Sequence, residues 1–296
     1  MPLHLTSRLT RPRLIIMAAV LATTGLLIAL AGQAGSAHAA TARPAQSGAA
    51  SSTSGPKPVI VLEHGAWADG SSWDQVVANL QAAGYTVDVP PNSLRGVAAD
   101  AAYLHDFLTQ NPNLQGTPVV LVGHSYGGFV TTNAAVGAPG VKALVFVDAF
   151  VPDVDDTLRS LTTPPSCFAA DPTTVFDVVS YPGGPPGDVD LYVKQNLFPG
   201  CFANGLPASQ GAVLAVTQRP LAASVLDEPS GTPAWQTIPS WDVIGTVDHI
   251  IPKAAQLAMA QRAHAHITEI NAPHLSMVSD PNTVTRVIIQ AARATS

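Results

Sequence analysis

The chain has 296 residues, 47% of them hydrophobic and only 11% charged, with a formal net charge of -6. That balance excludes the basic surface on which a nucleic-acid or anionic-membrane partner depends. Two cysteines exclude a disulfide-built miniprotein, and the length allows one large domain with an ample core.

The first residues carry Arg8, Arg11 and Arg13 and no acid, then an apolar run from Leu14 to Leu30, then Ala37-His38-Ala39. A basic head, an apolar middle and an A-x-A tail predict a secretory signal peptide over residues 1–39, cleaved after Ala39. The competing reading is an uncleaved anchor, since the apolar run is nearly long enough to span a bilayer. Cleavage would remove three positive charges and no negative ones, taking the formal charge from -6 to -9. Residues 40–57 are Ala, Ser, Gly, Pro and Thr apart from Arg43, Gln46 and Lys57, with almost no large apolar side chain, and read as a flexible leader. The expected product is a secreted protein without stable membrane insertion.

From Pro58 onward strands and helices alternate. Pro58 to Glu63 is an aliphatic strand running into His64-Gly65-Ala66-Trp67, and Ser72 to Ala83 a helix stopped by Gly84. Tyr85 to Val89 is a strand and Val97 to Gln110 an amphipathic helix. Val119 to Val122 is a strand apolar on both faces that runs into Gly123-His124-Ser125-Tyr126-Gly127, followed by a helix through Ala135 and a strand from Val141 to Val147. The pattern predicts an α/β fold with a mainly parallel, doubly wound sheet. Between residues 152 and 233 the alternation fails. This Pro-, Gly- and Asp-rich stretch, with helical pieces near Val189 to Asn196 and Gln210 to Thr217, reads as an inserted lid. The pattern resumes with a strand at Ser240 to Ile244, a helix at Pro252 to Ala263, a strand at Ile267 to Ile270 and a last helix at Asn282 to Ala292.

Gly123 to Gly127 fits G-x-S-x-G, in which a strand turns into a helix within one residue and the glycines leave room where a Cβ would collide. A serine at the apex has its hydroxyl pushed out above the sheet. Catalytic groups in such sheets sit after strand ends. The loop after Ser240 to Ile244 offers Asp248 and His249, and the loop after Ile267 to Ile270 offers His274. Serine, acid, histidine is the chain order of an α/β-hydrolase triad.

From about Val59 onward the chain resembles the α/β-hydrolase family, and within it the esterase and hydroxynitrile-lyase-like group, whose members carry His-Gly-Ala after the first core strand. The resemblance implies an α/β-hydrolase fold and a carboxylic-ester hydrolase acting through an acyl-enzyme. Ser125 would be the nucleophile, His274 its base and Asp248 the acid that fixes the imidazole. Backbone N–H groups of Ala66 and Tyr126 would form the oxyanion hole. Asp148 is the alternative acid and His249 the alternative base. Trp67 is expected to line the substrate pocket, with Phe168, Tyr181, Tyr192, Phe198 and Phe202 as further lid aromatics.

Cys167 and Cys201 both fall in the lid, and in an exported chain such a pair predicts a disulfide that stabilises by about 3 to 4 kcal/mol. No Cys/His spacing suits zinc and no Gly-rich nucleotide loop occurs, so neither metal nor cofactor is expected. Two other readings stay open. A lyase of the same fold would need a lid cation near the serine, for which Lys194 and Arg219 are candidates; a silent binding protein would have no need of the triad.

Overall fold

The computed structural model describes residues 56–295. The expected signal peptide, and the leader apart from its last two residues, lie outside the described residues. Strands β1 (Val59–Glu63), β2 (Val87–Asp88), β3 (Val119–His124) and β4 (Val141–Val147) are joined by helices α1 (Asp74–Ala82), α2 (Val97–Gln110) and α3 (Gly127–Ala134). The segment after β4 carries α4 (Leu158–Leu161), α5 (Pro172–Val175), β5 (Phe176–Ser180), β6 (Val189–Val193), α6 (Ala208–Thr217) and β7 (Leu221–Ala222). Strand β8 (Ser240–Gly245), α7 (Lys253–Arg262), β9 (His266–Ile270), α8 (Ser276–Ser279) and α9 (Pro281–Ala294) complete the order.

One sheet has the order β2-β1-β3-β4-β8-β9, and all its pairs are parallel. Strands buried on both faces explain why β1 and β3 read as unbroken aliphatic runs, with every residue of both buried. The chain starts in the sheet at β1, steps outward to β2, then returns to lay β3 on the other side of β1. That reversal opens a crevice at the carboxyl ends of β1 and β3, where ligands of open α/β sheets bind. Helix α9 covers one face with Val284, Val287, Ile288 and Ala291, all buried.

The inserted segment has a sheet of its own, antiparallel and ordered β5-β6-β7. Its middle strand corrects the helix expected near Val189 to Asn196. Val189-Asp190-Leu191-Tyr192-Val193 is extended because β5 pairs with it from Phe176↔Val193 to Ser180↔Val189, while β7 pairs on its other edge. The strand expected at Tyr85 to Val89 contracts to two residues, and the helix expected from Ser72 begins as a 3-10 turn over Gly70–Trp73 whose N-cap is Asp69. Phe176, Leu191, Phe198 and Phe202 of the inserted segment belong to the same hydrophobic cluster as β1 and β3.

Candidate active site

Strand β3 delivers Ser125 to the crevice, and Ser125 holds φ 52°, a left-handed conformation that a non-glycine residue rarely adopts. Crowding around it accounts for the flanking glycines. A Cβ on Gly123 would stand 2.6 Å from the Gly127 carbonyl oxygen, and one on Gly127 would stand 2.8 Å from the Glu63 carbonyl oxygen. Only glycine lets α3 start so close to β1.

The β1 loop reaches the same point because Glu63 is the register partner of Gly123. It passes so near that a Cβ on Gly65 would lie 2.7 Å from Ser125 Cβ. Among the described residues, neither the Ala66 nor the Tyr126 N–H donates to a protein acceptor, and both residues line the cavity above Ser125. His64 shapes this loop. Its Nε2 accepts from the Asn92 N–H at 3.2 Å, which assigns the proton to Nδ1, donating to the Gly65 carbonyl at 2.9 Å. Burial lowers the His64 pKa and keeps the ring neutral.

Asp248 and His274 come from the loops after β8 and β9. His274 Nδ1 lies 2.8 Å from Asp248 Oδ2, and both side chains are inaccessible to solvent. The carboxylate also accepts the N–H groups of Ile250 at 2.6 Å and Ile251 at 2.9 Å, and the Gln256 amide at 2.9 Å. All four partners donate, so they favour a carboxylate without a proton, while burial pushes its pKa upward. Burial pushes the His274 imidazole down to about 3, leaving it neutral at pH 7. Its Nε2 is buried and has no hydrogen-bond partner among the described residues. His124, next to Ser125, ties the elbow to this loop: its Nε2 donates to the His274 carbonyl at 3.0 Å, and the two rings stand 4.8 Å apart.

The rival residues are occupied elsewhere. Asp148, fully buried at the end of β4, accepts from the Gly245 N–H at 2.8 Å and the Ser276 N–H at 3.0 Å. Burial, then the neighbouring Asp248, raises its pKa. His249 is exposed and its Nδ1 lies 3.1 Å from the Gly200 carbonyl. His105 is half-buried with Nδ1 2.9 Å from the Ala134 carbonyl.

Above Ser125 lies a cavity of about 380 Å³, walled by Trp67, Phe150, Leu158, Phe168, Phe176, Leu226 and Ile250. Trp67, with φ 56°, meets Phe168 edge-on at 4.9 Å and stacks on Phe176 at 5.5 Å. Phe202 bridges Trp67 at 6.1 Å and the His274 ring at 5.1 Å. Phe198 packs behind it at 4.9 Å and Tyr181 lies under Arg95, so neither they nor Tyr192 wall the cavity. A disulfide joins Cys167 to Cys201, one residue before Phe168 and Phe202 respectively.

Lys194 and Arg219 do not line the cavity; Lys194 pairs with Asp177. The cation at its rim is Arg159, held by both oxygens of Asp227 at 2.6 and 2.9 Å. Sequence reasoning did not find Arg159, Phe150, Phe176, Leu226 or Ile250. Phe150 lies two residues beyond Asp148 at the end of β4, and Ile250 two residues beyond Asp248 in the loop after β8. Among the described residues no group of three or more His, Cys, Asp or Glu could hold a metal ion, and no helix is long and apolar enough to cross a membrane.

The chain is similar over part of its length to a carbendazim-hydrolysing esterase of Nocardioides sp. (strain SG-4G), 37% identical over 111 residues; the match spans 34% of this chain and 46% of that protein. It is 24% identical over 257 residues to the alpha/beta hydrolase nvfD of Aspergillus novofumigatus (strain IBT 16806), covering 80% of this chain and 97% of that one. Among solved structures, an extracellular alpha/beta-hydrolase from a Paenibacillus species superposes with a TM-score of 0.64 at 21% identity, over 79% of this chain and 98% of that one. Tomato methylketone synthase I does so with a TM-score of 0.65 at 18% identity, over 81% of this chain and all of that one. The model of the alpha/beta hydrolase family matches residues 59–287, most of the strands and helices just described, and the chain belongs to that family.

Proposed function

We propose that this protein is an exported serine hydrolase that cleaves carboxylic esters of small or medium apolar acids through an acyl-enzyme on Ser125. The observation that carries the reading is the His274–Asp248 contact at 2.8 Å, which fixes the imidazole in the tautomer whose Nε2 lone pair is free. Nε2 takes the Ser125 proton as the serine oxygen attacks the ester carbonyl, and Asp248 stabilises the imidazolium that forms. The N–H groups of Ala66 and Tyr126 receive the oxyanion. The imidazolium then protonates the departing alcohol, and water repeats the sequence to free the acid. The carbendazim-hydrolysing relative adds weight on the side of hydrolysis. The apolar cavity wall supports an apolar acyl or aryl group, and its volume suits a ligand of modest size. A lyase, which would need a free cation beside the serine, is less well supported, because the rim guanidinium of Arg159 is already paired.

Ser125→Ala is expected to abolish nitrophenyl-ester turnover and labelling by a fluorophosphonate; labelling that persists would remove Ser125 from the mechanism. Export rests on the arginine-rich head, the apolar run and the Ala37-His38-Ala39 site. Amino-terminal sequencing of protein recovered from the medium is expected to begin at Ala40, and retention in the cell pellet would overturn it.

A further inference from the structure

Two consecutive residues of the inserted segment, Asp190 and Leu191 on β6, are each wired to one of the oxyanion donors. On one side, the indole N–H of Trp67, the residue after Ala66, donates to the Leu191 carbonyl at 2.8 Å. On the other, the Tyr126 side chain, 1% exposed, runs from the elbow to α2, where its phenol donates to Asp100 Oδ2 at 2.8 Å. Asp100 is itself buried, and it accepts the Ser93 hydroxyl and the Arg95 N–H, the latter at 3.2 Å to each oxygen. Arg95 then reaches β6: its guanidinium pairs with Asp190 and lies 4.3 Å over the Tyr181 ring. The Ala222 N–H of β7 donates to the Leu94 carbonyl at 3.1 Å, which pins the same loop a second time.

We infer that β6 sets the oxyanion hole, with Asp100 and Arg95 acting as positioning residues through the Tyr126 phenol. The inference rests on the serine-hydrolase reading and deepens it. A backbone N–H stabilises charge only when its peptide plane is aimed before the reaction begins, and side-chain anchors at Tyr126 and Trp67 restrict both planes. The Tyr126–Asp100 and Trp67–Leu191 links are buried, while the Arg95 side chain of the pair with Asp190 is 37% accessible. The inserted segment therefore covers the substrate and also helps to aim the donors at it.

The test compares Tyr126→Phe, Arg95→Gln and Asp190→Asn with the parent enzyme, using a nitrophenyl butyrate and a trifluoromethyl ketone that mimics the tetrahedral oxyanion. Each variant is expected to lower kcat about 10-fold while KM moves less than about twofold, and to weaken the ketone by the same factor. Tyr126→Phe combined with Arg95→Gln is expected to lose little more than the worse single change, because both break one chain. Lys194→Gln, which removes a lid ion pair outside that chain, is expected to leave kcat unchanged. Unchanged kcat in Tyr126→Phe, or losses confined to Tm and KM, would overturn the inference; so would a kcat loss in Lys194→Gln equal to that of Arg95→Gln. A parent enzyme that takes no fluorophosphonate label fails earlier, at the nucleophile, and the inference falls with it. Should Arg95→Gln not fold, Asp190→Asn cuts the same link from the other side.

Discussion

The parallel sheet and the inserted segment above it are held together by different means. In the sheet, β1, β3 and β4 bury almost every side chain, and the loops at their ends meet at backbone-to-backbone distances that admit no extra atom. The inserted segment joins the same apolar cluster through Phe176, Leu191, Phe198 and Phe202, and adds discrete ties: a disulfide, an indole hydrogen bond, the Arg95–Asp190 pair and the exposed Arg159–Asp227 pair, whose side chains are 55% and 62% accessible. Dense packing fixes positions collectively, whereas ties fix them one at a time. A substitution should therefore be felt throughout the sheet and more locally in the inserted segment.

Alanine at two glycines tests this contrast most severely. A Cβ on Gly128 at the start of α3 would fall 1.9 Å from the Phe150 carbonyl oxygen, whereas one on Gly187 in the inserted segment, at φ 85°, would meet nothing within 4 Å. Gly128→Ala is expected to cost about 3 kcal/mol or more, or to prevent folding. Gly187→Ala should cost about 1 to 2 kcal/mol, from its backbone conformation alone. Equal losses in denaturant titrations would erase the distinction. Replacing both cysteines by serine comes next, with an expected loss of about 3 kcal/mol. Limited proteolysis should show cleavage concentrated between residues 160 and 205; cleavage spread evenly over the chain would mean that the bridge serves the whole molecule.

Acid sharpens the comparison from the other side, because the buried imidazoles of His64, His124 and His274 all sit around the sheet ends. Burial lowers each pKa, that of His274 to about 3. In the unfolded chain they would take protons near pH 6.5, so the unfolded state binds more protons below that value. Their contribution to stability is expected to be fully present above about pH 6.5 and to fall as pH drops toward 3, whereas the buried carboxyls of Glu63, Asp148, Asp242 and Asp248, whose pKa values burial raises, contribute in the opposite sense. A His274 imidazole resonance that titrates near pH 6.5 in the folded protein would contradict this. The smallest effect belongs to Arg159 and Asp227, whose coupling in a double-mutant cycle should be below about 1 kcal/mol and should shrink with added salt. A coupling well above that would show that the rim pair is more than a solvated contact.

The same contrast governs what could be read from the chain. Strand β4 and helix α2 have the bounds expected of them, because continuous apolar runs and helical spacing are local signals. The positions of Asp248 and His274 were legible because the motif order and the strand ends place them. Strand β6 was misread because its partners, at Phe176 to Ser180 and at Leu221 to Ala222, are separated from it by irregular chain, and pairing of that kind leaves no mark on five residues. Asp100 was unreadable as a partner for Tyr126, because a contact between residues 26 apart follows from the stacking of α2 against α3.

Asp148, set aside as a proton-relay acid, grips two loops with one carboxylate: one oxygen holds the start of the segment leading to Asp248, and the other holds the residue two beyond His274. One carboxylate bonded to both segments restrains the spacing between them. An ageing or heated sample would consequently lose activity as an abrupt population change, with surviving molecules working at the original speed, rather than as a gradual slowing of every molecule.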